Sequence, residues 1–158
     1  VALGYQGLAE GLLLATLPVA VVIWGASLVQ LVRRIPPAPL RPMLAIHLAP
    51  ASLFVIAATL TGQDLLAGFT VVSVLAGLVA LAAGLQWLTE AGFTPIWGAF
   101  TFPLSAASTA LLLQGGVLAW IGLGLLAVAL VVVPWIAWKV LRLWPGGRLA
   151  QKTNAAQA

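Results

Sequence analysis

Apolar residues fall in five long stretches, and polar residues collect in the breaks between them. The stretches cover about residues 8–32, 43–61, 65–88, 95–113 and 117–143, here spans A to E. A helix rises about 1.5 Å per residue, so about 20 residues cross a hydrocarbon core about 30 Å thick. The runs are continuous. They lack the period-two alternation of strands that face a polar lumen, so helices are predicted rather than barrel strands. The fold class read from this pattern is an all-α integral membrane protein with about five transmembrane helices.

The breaks carry turn chemistry. Between A and B stands Arg33-Arg34-Ile35-Pro36-Pro37-Ala38-Pro39-Leu40-Arg41-Pro42. Four prolines in seven residues cannot continue a helix. Thr61-Gly62-Gln63-Asp64 separates B from C, Thr89-Glu90-Ala91-Gly92-Phe93-Thr94 separates C from D, and Gln114-Gly115-Gly116 separates D from E. Such short links predict antiparallel helical hairpins, read here as A–B and C–D.

Composition sharpens this picture. Apolar residues make up 63 % of the 158 and charged residues 6 %, against about 45–50 % and about 25 % in soluble domains. Ten charges cannot cover a water-facing surface, and the mean hydropathy is +1.14. There is no Cys, which excludes disulfides, thiolate metal sites and Cys nucleophiles. One His and no nucleophile–base–acid set argue against an enzyme. No phosphate-binding loop or metal-ligand cluster is visible, so no cofactor is expected.

The net charge of +4 reads as membrane orientation rather than nucleic-acid binding. Arg33, Arg34 and Arg41 lie in the A–B link; Lys139, Arg142, Arg148 and Lys152 lie at the C-terminal end. The B–C and D–E links hold neither Lys nor Arg. With five spans both basic regions fall on one side, which the positive-inside rule makes cytoplasmic. The C-terminus is then cytoplasmic and the protein sits in the inner (plasma) membrane. Trp135, Trp138 and Trp144, with Trp87 and Trp97, read as an interfacial belt. Residues 145–158 read as a polar, disordered tail. The chain begins at Val1 without a signal-peptide pattern, which reads as part of a longer product. Glu10, Asp64 and Glu90 stand at span ends or in links and avoid the cost of burying a carboxylate in mid-membrane.

Two prolines fall inside spans. His47-Leu48-Ala49-Pro50-Ala51-Ser52 in B parallels Phe100-Thr101-Phe102-Pro103-Leu104-Ser105 in D, at a spacing of about 53 residues. This predicts an internal hairpin repeat. Each proline removes a donor and frees a carbonyl, so a kink or a broken helix with anion-attracting backbone dipoles is expected; a plain packing kink is the alternative. In D, Ser105 to Ala110 form a run of small residues in which Ser105, Ser108 and Thr109 offer hydroxyls for a narrow polar path. Gly77, Ala80 and Gly84 form a second small stripe, read as helix packing.

From Gly4-Tyr5 through Arg41-Pro42-Met43-Leu44-Ala45-Ile46-His47-Leu48-Ala49-Pro50, and again at Ile96-Trp97-Gly98-Ala99-Phe100-Thr101-Phe102-Pro103-Leu104-Ser105, the chain resembles the tellurite-resistance/dicarboxylate transporter family, which includes the plant slow anion channels. The resemblance implies the C-terminal half of a ten-helix bundle around a central pore, often a homotrimer, completed by an N-terminal half absent from this chain. It implies that spans B and D line the pore and that A, C and E lie outside. It places the family's occluding Phe at Phe102, with Phe100 the neighbouring alternative. Pore-lining candidates are then His47, Pro50, Ser52, Phe100, Pro103, Ser105, Ser108 and Thr109. His47 departs from the family pattern, which has an apolar residue there, and reads first as a hydrogen-bonded structural group rather than a proton carrier.

Three functions follow as expectations. The first is channel-like passage of small anions or organic acids through an uncharged, Phe-gated pore. The second is a secondary carrier for C4-dicarboxylates or an exporter giving tellurite or toxicant resistance. The third is a non-transporting membrane subunit. The lipid bilayer is the expected partner in all three.

Overall fold

The computed structural model describes residues 4–149. It is all helical among these residues. Helix α1 spans Gln6–Arg33, α2 Leu48–Leu60, α3 Asp64–Ala83, α4 Leu85–Leu88, α5 Thr101–Gln114 and α6 Gly116–Leu141. Three 3-10 segments join them: η1 at Ala38–His47, η2 at Pro95–Phe100 and η3 at Pro145–Gly147. Taking η1 with α2 and η2 with α5, five helical segments are long and apolar enough to cross a membrane. These are the five spans of the hydrophobic pattern, and they make the chain compatible with a multi-pass membrane bundle.

Spans B and D are not single α-helices. Each begins as 3-10 helix and becomes α-helix two residues before its proline, at Leu48 and at Thr101. The cause is local. A proline ring collides with the carbonyl four residues earlier in an α-helix and offers it no proton. For Pro50 and Pro103 those carbonyls belong to Ile46 and Ala99, and both fall in the 3-10 turns. Pro50 and Pro103 themselves sit third in α2 and α5, where the missing N–H has no helical partner to lose. The break expected at each proline is thus a change from 3-10 to α-helix, and the leading N–H of each α-helix is bonded rather than open. The junction N–H of Leu48 bonds to the Ala45 carbonyl and that of Thr101 to the Gly98 carbonyl.

The hairpins also differ from the predicted A–B and C–D pairs. The close antiparallel pairs are α2 with α3 and α5 with α6, and α2 packs along α5. Turn chemistry explains the choice. Gly62 and Gly115 reverse the chain with φ of +74° and +72°, a conformation that Cβ-bearing residues avoid. At the first, the Gln63 N–H reaches the Ala58 carbonyl at 2.8 Å and the Gly62 N–H reaches Thr59 at 3.3 Å, closing a Schellman motif. The proline-rich A–B link has no such clasp, and α1 diverges.

The 53-residue repeat is therefore a unit of 3-10 turn, α-helix, glycine reversal and return helix. Pro42, Pro50, Ser52 and Gly62 of the first unit correspond to Pro95, Pro103, Ser105 and Gly115 of the second. Even a side-chain bond repeats: the Ser52 hydroxyl donates to the Leu48 carbonyl at 2.8 Å and the Ser105 hydroxyl to Thr101 at 3.0 Å.

The core lies between the two units. Leu48, Ala51 and Val55 of α2 meet Val71 and Val74 of α3 and Ala107, Ala110 and Leu111 of α5. A smaller cluster seats α1 through Leu13 against Phe54, Ala58 and Ala67. The η1–α2 segment has 44 % of its most apolar window buried, α1 only 6 % and α6 only 11 %. Span B is thus central and spans A and E peripheral. Large apolar side chains cover the outer surface, as a hydrocarbon solvent permits and water does not.

One end of the bundle gathers the cations and the aromatic rings. Lys139 lies 4.3 Å over Trp135 and 5.0 Å over Phe93, Arg142 4.2 Å over Trp138, and Arg41 4.6 Å over Trp87. Arg41 also pairs with Glu90 and donates from Nε to the Pro36 carbonyl. The A–B and C–D links are thereby tied together. Of the expected tail, Pro145–Gly147 form a 3-10 turn, and 150–158, with Lys152, lie outside the described residues.

Candidate functional site

The two proline junctions stand side by side, because η1 packs on η2 and α2 on α5. Small residues allow the approach: Ala107 and Ala110 of α5 are fully buried, as are Val55 and Ala58 of α2. A side-chain bond fixes the far end, where Gln114 Nε2 donates to Thr59 Oγ1 at 2.6 Å.

The structure separates the candidate residues by face. On α5, Phe102, Ser105 and Thr109 recur at helical spacing, and all three are exposed, with Gly98 and Leu113 continuing the stripe. Phe102 is 57 % exposed and makes no ring contact with another aromatic. Ser105 and Thr109 donate to the Thr101 and Ser105 carbonyls at 3.0 and 3.1 Å, and their oxygens remain open to the surface. Pro103 is buried behind them.

Ser108 belongs to a different face. It is 1 % exposed, and its hydroxyl donates to the Gly122 carbonyl of α6 at 3.0 Å. In this structure it is a packing contact. Ser52 is likewise fully buried, on its own Leu48 carbonyl, and Pro50 is half-buried. Phe100 is half-buried and turns away from Phe102, edge-on to Trp97 at 6.0 Å. It joins an aromatic group in which Trp97 and Phe93 both meet Trp135.

His47 is half-buried and has no hydrogen-bond partner among the described residues. The expectation of a hydrogen-bonded structural histidine is corrected on that point. Its ring lines a cleft between α1 and α3 instead. The stripe of Gly77, Ala80 and Gly84 lines the same cleft, so it does not serve helix packing along its length. Two of the three are tight: a Cβ at Gly77 would stand 3.0 Å from Leu48 Cδ1, and one at Gly84 3.1 Å from the Ala80 carbonyl oxygen of its own helix.

No family model, curated protein or solved structure matches the chain.

The repeat makes the α5 face informative. Shifted by 53 residues, Gly98, Phe102 and Ser105 correspond to Ala45, Ala49 and Ser52. Those three are buried, at 1, 6 and 0 % exposure, in a bundle where the second unit packs along the first. The same positions are covered in one unit and open in the next. The open copy carries one hydroxyl, one benzyl ring and no charge; Thr109, a turn further on, adds a second hydroxyl at a position whose counterpart, Ile56, is half-buried.

Proposed function

We propose that this chain supplies two adjacent staves, α2 and α5, of a membrane conduit for small anions or organic acids. The observation that carries it is the open α5 face, whose counterpart residues in the first unit, Ala45, Ala49 and Ser52, are buried within the bundle. A repeat that ends on an uncovered copy of its own interface is suited to continuation. Further hairpins, on the same polypeptide or another, would extend the row of staves and close it. Ring closure on the plan of the tellurite-resistance/dicarboxylate transporter family, with a missing N-terminal half and trimeric assembly, belongs to the same reading. So does a cytoplasmic C-terminus, from the cations at one end of the bundle.

The chemistry of the face suits weak, transient contact with an anion. Without a fixed cation the path binds anions loosely enough to release them. Ser105 and Thr109 can turn their hydroxyl protons from their own helix carbonyls to a passing anion. Phe102, one turn nearer the basic end, would narrow the path and open it by rotation about χ1. The half-helix dipoles expected at Pro50 and Pro103 would contribute less to this, because the leading N–H of each α-helix, at Leu48 and Thr101, is already bonded.

The test is chloride or nitrate flux from liposomes holding the complete membrane assembly. Phe102→Ala is expected to raise flux, and Phe102→Trp to lower it. Flux that does not respond to either substitution overturns the gate. Saturable succinate uptake without a chloride leak would point to the carrier instead.

A further inference from the structure

The cleft between α1 and α3 lies away from the α5 face and has a volume of about 580 Å³. It exists because α1 is seated at one end only. Toward the end remote from the arginines, Gln6 Nε2 reaches the Thr61 carbonyl at 3.5 Å and Leu13 packs on Phe54, Ala58 and Ala67. The last firm contact is Trp24, edge-on to Phe54 at 6.2 Å. Beyond it α1 runs on through Ser27 and Leu31 to Arg33 without packing on α3. The opposite wall is the small-residue side of α3, and the floor is the η1–α2 junction.

The lining is apolar except for Ser27, Ser73 and His47. His47 is its one titratable group, and its ring N–H has no acceptor among the described residues. The rim is cationic. Arg34 follows Leu31 of the lining by three residues, and Trp87 of the lining carries Arg41 on its face. Glu90 compensates Arg41, but Arg33 and Arg34 are exposed and have no acidic partner among the described residues. An apolar trough in a membrane span, with an unused donor part-way along it and two exposed arginines without an acidic partner, Arg33 and Arg34, at the end of the helix that forms one wall, is complementary to one molecule in its surroundings.

We propose that this cleft is a binding site for an anionic diacyl phospholipid. One acyl chain lies in the trough along Gly77 and Ala80. An ester carbonyl accepts from His47, and the phosphate meets Arg33 and Arg34. Basic pockets between helices at a membrane face are suited to such head groups. The volume is in the range of built ligand sites.

The full chain, purified and reconstituted in nanodiscs of equal parts phosphatidylglycerol and phosphatidylcholine, tests this by lipid retention in native mass spectrometry. Phosphatidylglycerol is expected to be retained preferentially. Replacing Arg33 and Arg34 by Gln is expected to lower that preference about fivefold for each arginine. Ala80→Phe, or Ala76→Phe should the first fail to fold, fills the trough from an exposed position and is expected to abolish retention of either lipid. A photocrosslinker at position 80 is expected to capture lipid. Equal retention of the two lipids, retention unaffected by filling the trough, or a crosslink from position 80 to a polypeptide each overturns the assignment.

Discussion

Ser108 of α5 donates its hydroxyl proton to the carbonyl of Gly122 on α6 across 3.0 Å. The bond is possible only because Gly122 has no side chain. A Cβ there would stand 2.9 Å from the Leu112 nitrogen and 3.0 Å from the Ser108 carbonyl oxygen. Gly122 therefore sets the closest approach of the second hairpin. Gly122→Ala is expected to push α6 off α5 and destabilise the chain by about 1–3 kcal/mol. Ser108→Ala removes one interhelical bond and is expected to cost about 0.6 kcal/mol. Unfolding in mixed micelles, followed by Trp fluorescence, ranks the two; Ser108→Ala as damaging as Gly122→Ala would contradict the steric account.

Equivalent positions in the two repeat units should respond differently to the same substitution. Ser52 is buried and Ser105 exposed. Ser52→Val forces volume into a filled site and is expected to destabilise by about 1–3 kcal/mol. Ser105→Val on the isolated chain is expected to stay within about 0.5 kcal/mol. In the complete assembly Ser105→Val should instead impair flux. Equal stability losses at the two positions would mean that the α5 face is already covered.

Gly62 and Gly115 both adopt left-handed φ at hairpin reversals. No atom stands within 4 Å of an added Cβ at either, so the penalty for Ala is conformational alone. About 1–2 kcal/mol is expected at Gly62 and up to about 3 kcal/mol at Gly115, whose ψ of −169° lies in a region essentially closed to other residues. The losses should add in the double variant, since the two turns belong to different units. Thermal unfolding of the single and double variants provides the check.

Arg41 and Glu90 tie the A–B link to the C–D link. The Glu90 side chain is 60 % exposed, so Glu90→Gln is expected to cost no more than about 1 kcal/mol and to matter less at high salt. Arg41→Ala should cost more. It also removes the stack on Trp87 and the bonds to the Pro36 and Trp87 carbonyls. Unfolding at two ionic strengths separates the salt-dependent part from the rest.

Pro50→Ala and Pro103→Ala each restore a donor to a carbonyl now in a 3-10 turn. The turns before them are expected to relax toward α-helix, which lengthens protection in hydrogen exchange at residues 45–50 and 98–103. Unchanged exchange at both would assign the 3-10 geometry to packing of η1 on η2 rather than to the prolines.

Particular residues show how much could be read in advance. The helix ends near Arg33, Leu60, Gln114 and Leu141 follow the polar breaks, because a lipid-facing segment has no other way to stop. Pro50 and Pro103 mark the altered backbone in both units. The pairing of helices was less legible: all four breaks read as turns, and which of them reverses the chain tightly depends on the positive φ at Gly62 and Gly115, which the sequence does not display. The ion pair of Arg41 with Glu90 joins residues 49 apart and left no local signal. The stripe of Gly77, Ala80 and Gly84 reads as helix packing because it looks the same whether a helix or a void lies against it.

Hydrophobic length and proline position by themselves determined that this chain makes five apolar helices with a doubled motif, since both act within one or two turns of backbone. Only the tertiary structure decided which serine is buried, that Ser108 turns to Gly122 while Ser105 and Thr109 stay open, and that α1 parts from α3. Those outcomes depend on helix rotation and separation. In a chain apolar on every side, no polar face dictates either one, and close packing at small residues sets both.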